Sequence, residues 1–282
     1  MDITEPMAAT AADPFLPRIF RVRGWQRELL DAVTLDIAPD DGMLPPALPG
    51  QFNMLYAFGV GEIAVSFSAI NNDHYLHTVR DVGMVSAALT SLPPGGALGV
   101  RGPFGTAWPV EEGHGLDVVI AAGGLGLAPL RPAIRAILAQ RERFNRVAIL
   151  FGSRNPDQLL YRAELEHWRA LLDVQVEVTV DHADGGWHGH VGVLPTLLRR
   201  VEFDPAATLA MVCGPEIMMR FTAAALADAG VPPARIHLSM ERNMKCAIAL
   251  CGHCQFGPHF ICKDGAVMTF EKLGPLLPVR EI

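Results

Sequence analysis

Four cysteines set the strongest constraint on this chain. Cys246, Cys251, Cys254 and Cys262 fall within seventeen positions, and the rest of the sequence holds only Cys213. Thiolates this close, with Gly252 and Gly257 freeing the backbone to turn, imply one soft metal centre. The opening C-x4-C-x2-C is a spacing that ligates a [2Fe–2S] cluster, and four thiolates complete its ligand set. A four-cysteine zinc site takes the same ligands. Zinc more often uses two CxxC knuckles, however, and only Cys251 and Cys254 have that spacing. A pair of disulfides is a further alternative, opposed by the lack of a secretory signal, since cytosolic thiols stay reduced. Buried structural cysteines fit poorly on a loop rich in glycine and histidine. His253 and His259 read as surface residues or neighbours of the site, because the cysteines already fill it.

At 282 residues, half of them hydrophobic, the chain has room for two cores and a small appendage. Its formal charge of −7 opposes nucleic acid or an anionic membrane surface as a partner. No window approaches the length of uncharged apolar residues that spans a bilayer. Met1 to Pro14 has neither the basic nor the apolar region of a secretory signal, so a cytoplasmic location and a disordered tail over residues 1–16 are expected.

Between Ile19 and Arg101 short runs such as Ile19–Arg23 and Ala32–Ile37 alternate apolar with polar residues, the pattern of half-buried antiparallel strands. With one helix over Val85–Leu92, about six such strands predict a closed antiparallel barrel over residues 17–110. The character then changes. Leu116–Ala121 is a continuous apolar run, as in a strand buried on both faces, and helix-length segments alternate with strands up to Ser239. Val193–Arg200 is read as one of the helices. That alternation predicts a doubly wound parallel α/β sheet over residues 111–239, leaving 240–282 as a small cluster-binding domain.

Three motifs fall at strand ends in the α/β part. Gly123, Gly124, Leu125 and Gly126, with Pro129 three residues on, follow the first buried strand and open a helix. Glycines there let backbone approach a pyrophosphate, and the helix start adds amides and a positive dipole. Pro129 stands where the dinucleotide fingerprint has its third glycine, and proline suits a first helical turn, so a plain tight turn is the alternative. Cys213, Gly214 and Pro215 end another strand on the side where open α/β sheets bind ligands; the alternative is a cysteine acting as a small hydrophobe. Ser153 and Arg154 follow the second strand. An arginine with no acidic residue beside it tilts the reading from NAD(H) towards NADP(H), because a guanidinium accommodates a 2′-phosphate.

A barrel, a Gly-Gly-x-Gly-x-x-Pro turn and a Cys-Gly-Pro strand end, in that order, resemble the ferredoxin–NADP reductase superfamily. With the C-terminal cysteines the chain is similar to electron-transfer subunits of the dihydroorotate dehydrogenase type. It is similar above all to the gamma subunits of cytoplasmic NAD(P)-linked [NiFe] hydrogenases, the sulfhydrogenases. Val100–Gly105, Ala121–Arg131, Gly186–Gly192, Val212–Met219 and Glu241–Cys254 carry that resemblance, and the electron-transfer subunit of anaerobic sulfite reductase looks similar over the same span. The resemblance implies FAD, a [2Fe–2S] cluster and NAD(P)(H) as cofactors. It lays the superfamily's flavin motif on Val65–Ser68, with Phe67 and Ser68 lining the isoalloxazine and Val65 replacing the motif's arginine. The phosphate-binding segment falls on Gly83–Ser86, including Val85, and the nicotinamide lies near Cys213. The implied function is a diaphorase subunit that passes electrons through an iron–sulfur subunit to the large and small subunits of a [NiFe] hydrogenase. A stand-alone flavin reductase and a zinc-containing nucleotide-binding module remain as alternatives.

Overall fold

The alternating segments of the first hundred residues close into a barrel. In the computed structural model, which describes residues 13–279, its strands are β1 (Arg18–Leu29), β2 (Ala32–Pro39), β3 (Phe52–Ala57), β4 (Gly61–Ile70), β5 (Tyr75–Arg80) and β6 (Ala97–Phe104). They run antiparallel in the order β1-β2-β5-β4-β3-β6, and β6 pairs back with β1. Closure satisfies both sheet edges. Phe20, Leu35, Ile37, Leu55, Phe67, Tyr75 and Leu98 fill the interior, and Leu89 of the short helix α1 (Met84–Thr90) joins that core. Most of the expected N-terminal tail, residues 1–12, lies outside the described residues. Pro14 and Phe15 are held, the first by its carbonyl on Arg101 and the second by its ring facing that guanidinium.

The second half is the parallel sheet that the β-α alternation predicts. Its strands are β7 (Asp117–Gly123), β8 (Val147–Ser153), β9 (Val174–Val180), β10 (His190–Val191), β11 (Thr208–Cys213) and β12 (Ile236–Ser239), ordered β10-β9-β8-β7-β11-β12. Helices α2 (Leu127–Ala139), α3 (Arg162–Arg169) and α4 (Glu216–Asp228) cover it. β7 is buried along its whole length, as a central parallel strand must be. The chain leaves β7 towards β8 and β9 and returns to β11 on the other side. That reversal makes a topological switch point at the carboxyl ends of β7 and β11, where such sheets bind ligands. Residues Leu194–Arg200, expected as an α-helix, run as a 3-10 segment. Leu194 and Leu197 lie three apart, so one side of a three-residue turn lays both on the sheet.

The C-terminal segment departs from the expected picture of a separate domain. It carries the ribbon β13 (Gln255–Phe256) and β14 (His259–Phe260), then α5 (Ile261–Asp264), β15 (Val267–Thr269) and α6 (Phe270–Leu273). β15 pairs antiparallel with β12 and becomes the seventh strand of the sheet. Thr106, in the link between the halves, donates its hydroxyl to the Val267 carbonyl (2.7 Å) and accepts from the Val267 amide (3.0 Å). Met244, Ala247, Phe256, Ile261 and Leu273 share one core with Phe52 and Met54 of the barrel wall and Val212 and Leu238 of the sheet. A segment this short buries too little apolar surface by itself, so it uses its neighbours'.

Candidate nucleotide and cluster sites

At the switch point two glycine turns meet backbone to backbone. Gly123–Gly126 leaves β7, passes through a single 3-10 turn and enters α2. A methyl group on Gly126 would lie 2.3 Å from the Cys213 carbonyl oxygen and 2.6 Å from the Gly214 nitrogen. Gly214 is at φ +154°, and a methyl there would lie 2.9 Å from the Gly123 Cα. Gly124 differs: its φ is +53°, and a methyl there would meet nothing within 4 Å. Thus Gly126 and Gly214 fasten the turns together, while Gly124 presents bare backbone to open space. Pro129 sits in the first turn of α2, where its missing N–H costs nothing, and its carbonyl accepts from Trp108 Nε1 at 2.9 Å.

Cys213 is 7% exposed, and burial pushes its thiol up to about 12. Such a thiol keeps its proton near neutral pH. Pro215 leads directly into α4. Ser153 is buried, with its hydroxyl donated to the Asn155 carbonyl at 2.8 Å, which leaves it no free proton for a ribose. Arg154 is exposed beside it and makes no ion pair among the described residues. Its guanidinium is free for an anion.

The residues expected to line a flavin lie in and behind the barrel wall. The Phe67 side chain lies inside the barrel, 4.7 Å from the Tyr75 ring centroid and 4.9 Å from that of His77, with no exposed surface. A ring sealed in a core cannot stack on a ligand. Ser68 is equally buried, under Arg131 of α2, whose Nη1 reaches the Ser68 carbonyl at 3.4 Å. Ile63, Val65 and Phe67 share the inward phase, Ala64 and Ser66 the other, and a bulge between Phe67 and Ala69 breaks the alternation at Ser68, whose buried hydroxyl has no partner among the described residues. Of those hydroxyls Ser66 is the one that stays half-exposed. In α1, Ser86 accepts from the amides of Val82 and Gly83 (2.9 Å each) and donates to the Gly83 carbonyl. That hydroxyl closes the helix start, and Val85 packs against β4 at Gly61. What Gly83–Ser86 can present to an anion is the first-turn amides, which have no intrahelical acceptor.

A buried polar chain pins the barrel to the sheet. Arg131 makes a two-oxygen ion pair with Glu164 and lies 4.4 Å over the Tyr161 ring. The Tyr161 hydroxyl meets Thr78 (2.5 Å), Thr78 meets Thr34 (2.8 Å), and Thr34 donates to Glu28 (2.7 Å). Nothing in the sequence marks these positions, which are scattered from Glu28 to Glu164.

Around the four cysteines the chain folds into a cage of amides. Ala247 and Ala249 both take left-handed backbone, at φ 64° and 61°. That conformation costs an alanine about 1 kcal/mol. It turns successive N–H groups inward. Cys246 Sγ accepts from the amides of Ile248 (3.5 Å), Leu250 (3.2 Å) and Cys251 (3.4 Å). Cys262 Sγ accepts from Ala249 (3.1 Å), and Cys254 Sγ from Cys262 (3.5 Å). Hydrogen bonds to cysteine sulfur are among the contacts that tune an iron–sulfur cluster. These five contacts gather Cys246, Cys254 and Cys262 around the turn, with Cys251 beside them. Among the described residues no three His, Cys, Asp or Glu side chains converge as they would on a single metal ion. Cys251 and Leu250 face solvent, while Cys246, Cys254 and Cys262 are buried.

A closed six-stranded barrel beside a doubly wound sheet, with paired glycine turns at the switch point, is the architecture of a ferredoxin-reductase-type oxidoreductase. The oxidoreductase NAD-binding domain family matches residues 120–224. Sulfhydrogenase 1 subunit gamma of Pyrococcus furiosus is 33% identical over 230 residues, 79% of each chain. The probable dihydroorotate dehydrogenase B (NAD(+)) electron transfer subunit of Thermoplasma volcanium is 32% identical over 225 residues, 80% of each. Among solved structures, an NADH-dependent reduced ferredoxin–NADP oxidoreductase described for flavin-based electron bifurcation superposes with a TM-score of 0.73, at 25% identity over 96% of both chains. The chain belongs to the ferredoxin–NADP reductase superfamily, in the family that holds the sulfhydrogenase gamma and dihydroorotate dehydrogenase electron transfer subunits. No helix of the described residues is long and apolar enough to cross a membrane.

Proposed function

We propose that this chain is the diaphorase subunit of a cytoplasmic hydrogenase complex, moving electrons between NAD(P)(H) and a partner [NiFe] hydrogenase through FAD and a [2Fe–2S] cluster. The observation that carries the reading is the cysteine loop. Five amide-to-sulfur contacts and left-handed alanines wrap one loop around the C-x4-C-x2-C…C thiols, which suits a [2Fe–2S] cluster. A mononuclear zinc site takes the same four thiolates but more often comes as two CxxC knuckles, and only Cys251 and Cys254 have that spacing.

When bound, a flavin exchanges hydride with a nicotinamide, and a [2Fe–2S] cluster carries electrons onward one at a time. The chain's own residues supply alignment. Gly123, Gly124 and Leu125 offer backbone to the dinucleotide pyrophosphate at the start of α2. Arg154 offers a guanidinium to a ribose 2′-phosphate, so NADP(H) is favoured. Cys213, Gly214 and Pro215 wall the nicotinamide crevice and exclude water. Ser66, the partnerless hydroxyl of Ser68 and the amides of Met84, Val85 and Ser86 would meet the flavin and its phosphates. Cys246, Cys251, Cys254 and Cys262 would hold the cluster, and the exposed side of Cys251 is where an acceptor, an iron–sulfur subunit, can come near.

The test is anaerobic purification of the tagged protein with its partners, followed by iron, sulfide and flavin analysis and an assay of H2-dependent NAD(P)+ reduction. Cys251→Ser should spare bleaching of the flavin by NAD(P)H and abolish transfer beyond it. A colourless preparation containing zinc would end the reading. Relatives named for dihydroorotate dehydrogenase B match at similar identity, which supports a second reading as the electron-transfer subunit of that complex or of a sulfite reductase. Copurifying dihydroorotate or sulfite activity in place of hydrogenase would select it.

A further inference from the structure

Outside the glycine turns and the cysteine cage, one buried group joins three parts of the chain. Arg101, on β6 of the barrel wall, is 6% exposed. Its Nε and Nη2 grip both oxygens of Glu62 on β4 at 2.7 and 2.6 Å. The remaining N–H groups reach backbone carbonyls: Nη2 to Lys245 (3.1 Å), and Nη1 to Cys246 (3.1 Å) and Pro14 (2.8 Å). The rings of Phe15 and Phe104 lie 5.9 and 5.7 Å away. All five guanidinium donors are thus used, a fork that a lysine, with three donors on a point charge, cannot reproduce.

Burying a cation on a barrel wall carries a desolvation cost, and Glu62 alone would compensate it at the surface without reaching further. The geometry that needs explaining is the pair of carbonyls on the peptides flanking Cys246, the first cysteine of the cage. Three amides donate to the Cys246 sulfur, and Arg101 holds the backbone carbonyl of the same residue. We propose that Arg101 is the positioning residue for the cysteine loop: it fixes the Lys245–Cys246 segment to the barrel and keeps a positive charge beside the first cysteine. The inference rests on the cluster reading for its electronic part only. The mechanical part stands on these contacts alone.

The experiment uses the full chain with its cofactors. Lys245 is exposed, so trypsin reports opening of the segment that Arg101 holds. Arg101→Gln should accelerate cleavage after Lys245 about tenfold, because local opening governs proteolysis of a folded chain. The cluster midpoint potential, followed by EPR, should move to more negative values as the cation is lost. Arg101→Lys should bring back part of the potential but little of the protection, which a merely structural role would not separate. Glu62→Gln, a milder change, should give intermediate cleavage if Arg101→Gln fails to fold. Unchanged cleavage in a variant whose flavin is still bleached by NAD(P)H would overturn the proposal, whatever the potential does. Absence of iron from the wild type would remove the cluster reading and leave the cleavage assay to decide the clamp.

Discussion

Two glycines of the same turn should both lose nucleotide affinity when each becomes alanine, but only one should lose much stability. At Gly126 the new methyl would sit 2.3 Å from the Cys213 oxygen, 2.5 Å from its carbonyl carbon and 2.6 Å from the Gly214 nitrogen. All three are backbone atoms at the end of β11, so relief requires moving the strand end by about 1 Å, and overpacking of this kind costs about 1–3 kcal/mol. Because no flexible side chain can give way, the upper end is expected, and NAD(P)H affinity should fall about tenfold or more as the two turns part. At Gly124 the methyl meets nothing, so stability should drop by only about 1 kcal/mol, from the left-handed backbone. Yet this methyl would occupy the space a pyrophosphate must enter, and affinity should fall at least as far. Urea denaturation of the nucleotide-free protein and NADPH titration of each variant give both numbers. If Gly126→Ala is no less stable than Gly124→Ala, or if Gly124→Ala binds NADPH normally, the assignment of fastening and cradling roles is wrong.

Cys213→Ala should keep NAD(P)H bleaching of the flavin within about tenfold of wild type, since a neutral buried thiol contributes shape; a loss beyond about a thousandfold would give the thiol a chemical role. Burial holds the His77 imidazole down to about 4, with Nδ1 donating to the Ser66 carbonyl and Nε2 accepting from Asn53. The unfolded chain, titrating near 6.5, then binds the extra proton first. This contribution is complete above about pH 6.5 and is lost as pH falls to 4, amounting to about 3 kcal/mol at most. His77→Gln should flatten that slope in urea midpoints taken from pH 7 to pH 4, and an unchanged slope would contradict the assignment. Arg154→Ala should raise the Kd for NADPH more than for NADH, and equal effects would remove the basis for favouring NADP(H).

The barrel, the parallel sheet and the order of the two glycine turns were legible in the amino-acid order, because each rests on short-range information. Strand alternation, continuous apolar runs and glycine–proline punctuation are local signals, and they place Gly123–Gly126 and Cys213–Pro215 at strand ends before any contact is known. Cysteine spacing is equally local, so the four thiols could be read as one site. Packing settled whatever depends on which face a residue turns to and on what covers it. Phe67 has the aromatic character of a flavin neighbour, but the phase of β4 seals it in the barrel and leaves Ser66 outside. Arg101 lies 144 residues from Lys245 and 145 from Cys246, and Arg131 and Tyr161 meet the barrel only across the interface. β15 carries three residues of weak strand signal, and it becomes a strand because the edge of β12 leaves backbone groups for it to pair with. Long-range partners of this kind leave no periodicity in a single chain, so they emerge only when the barrel, sheet and loop are packed together.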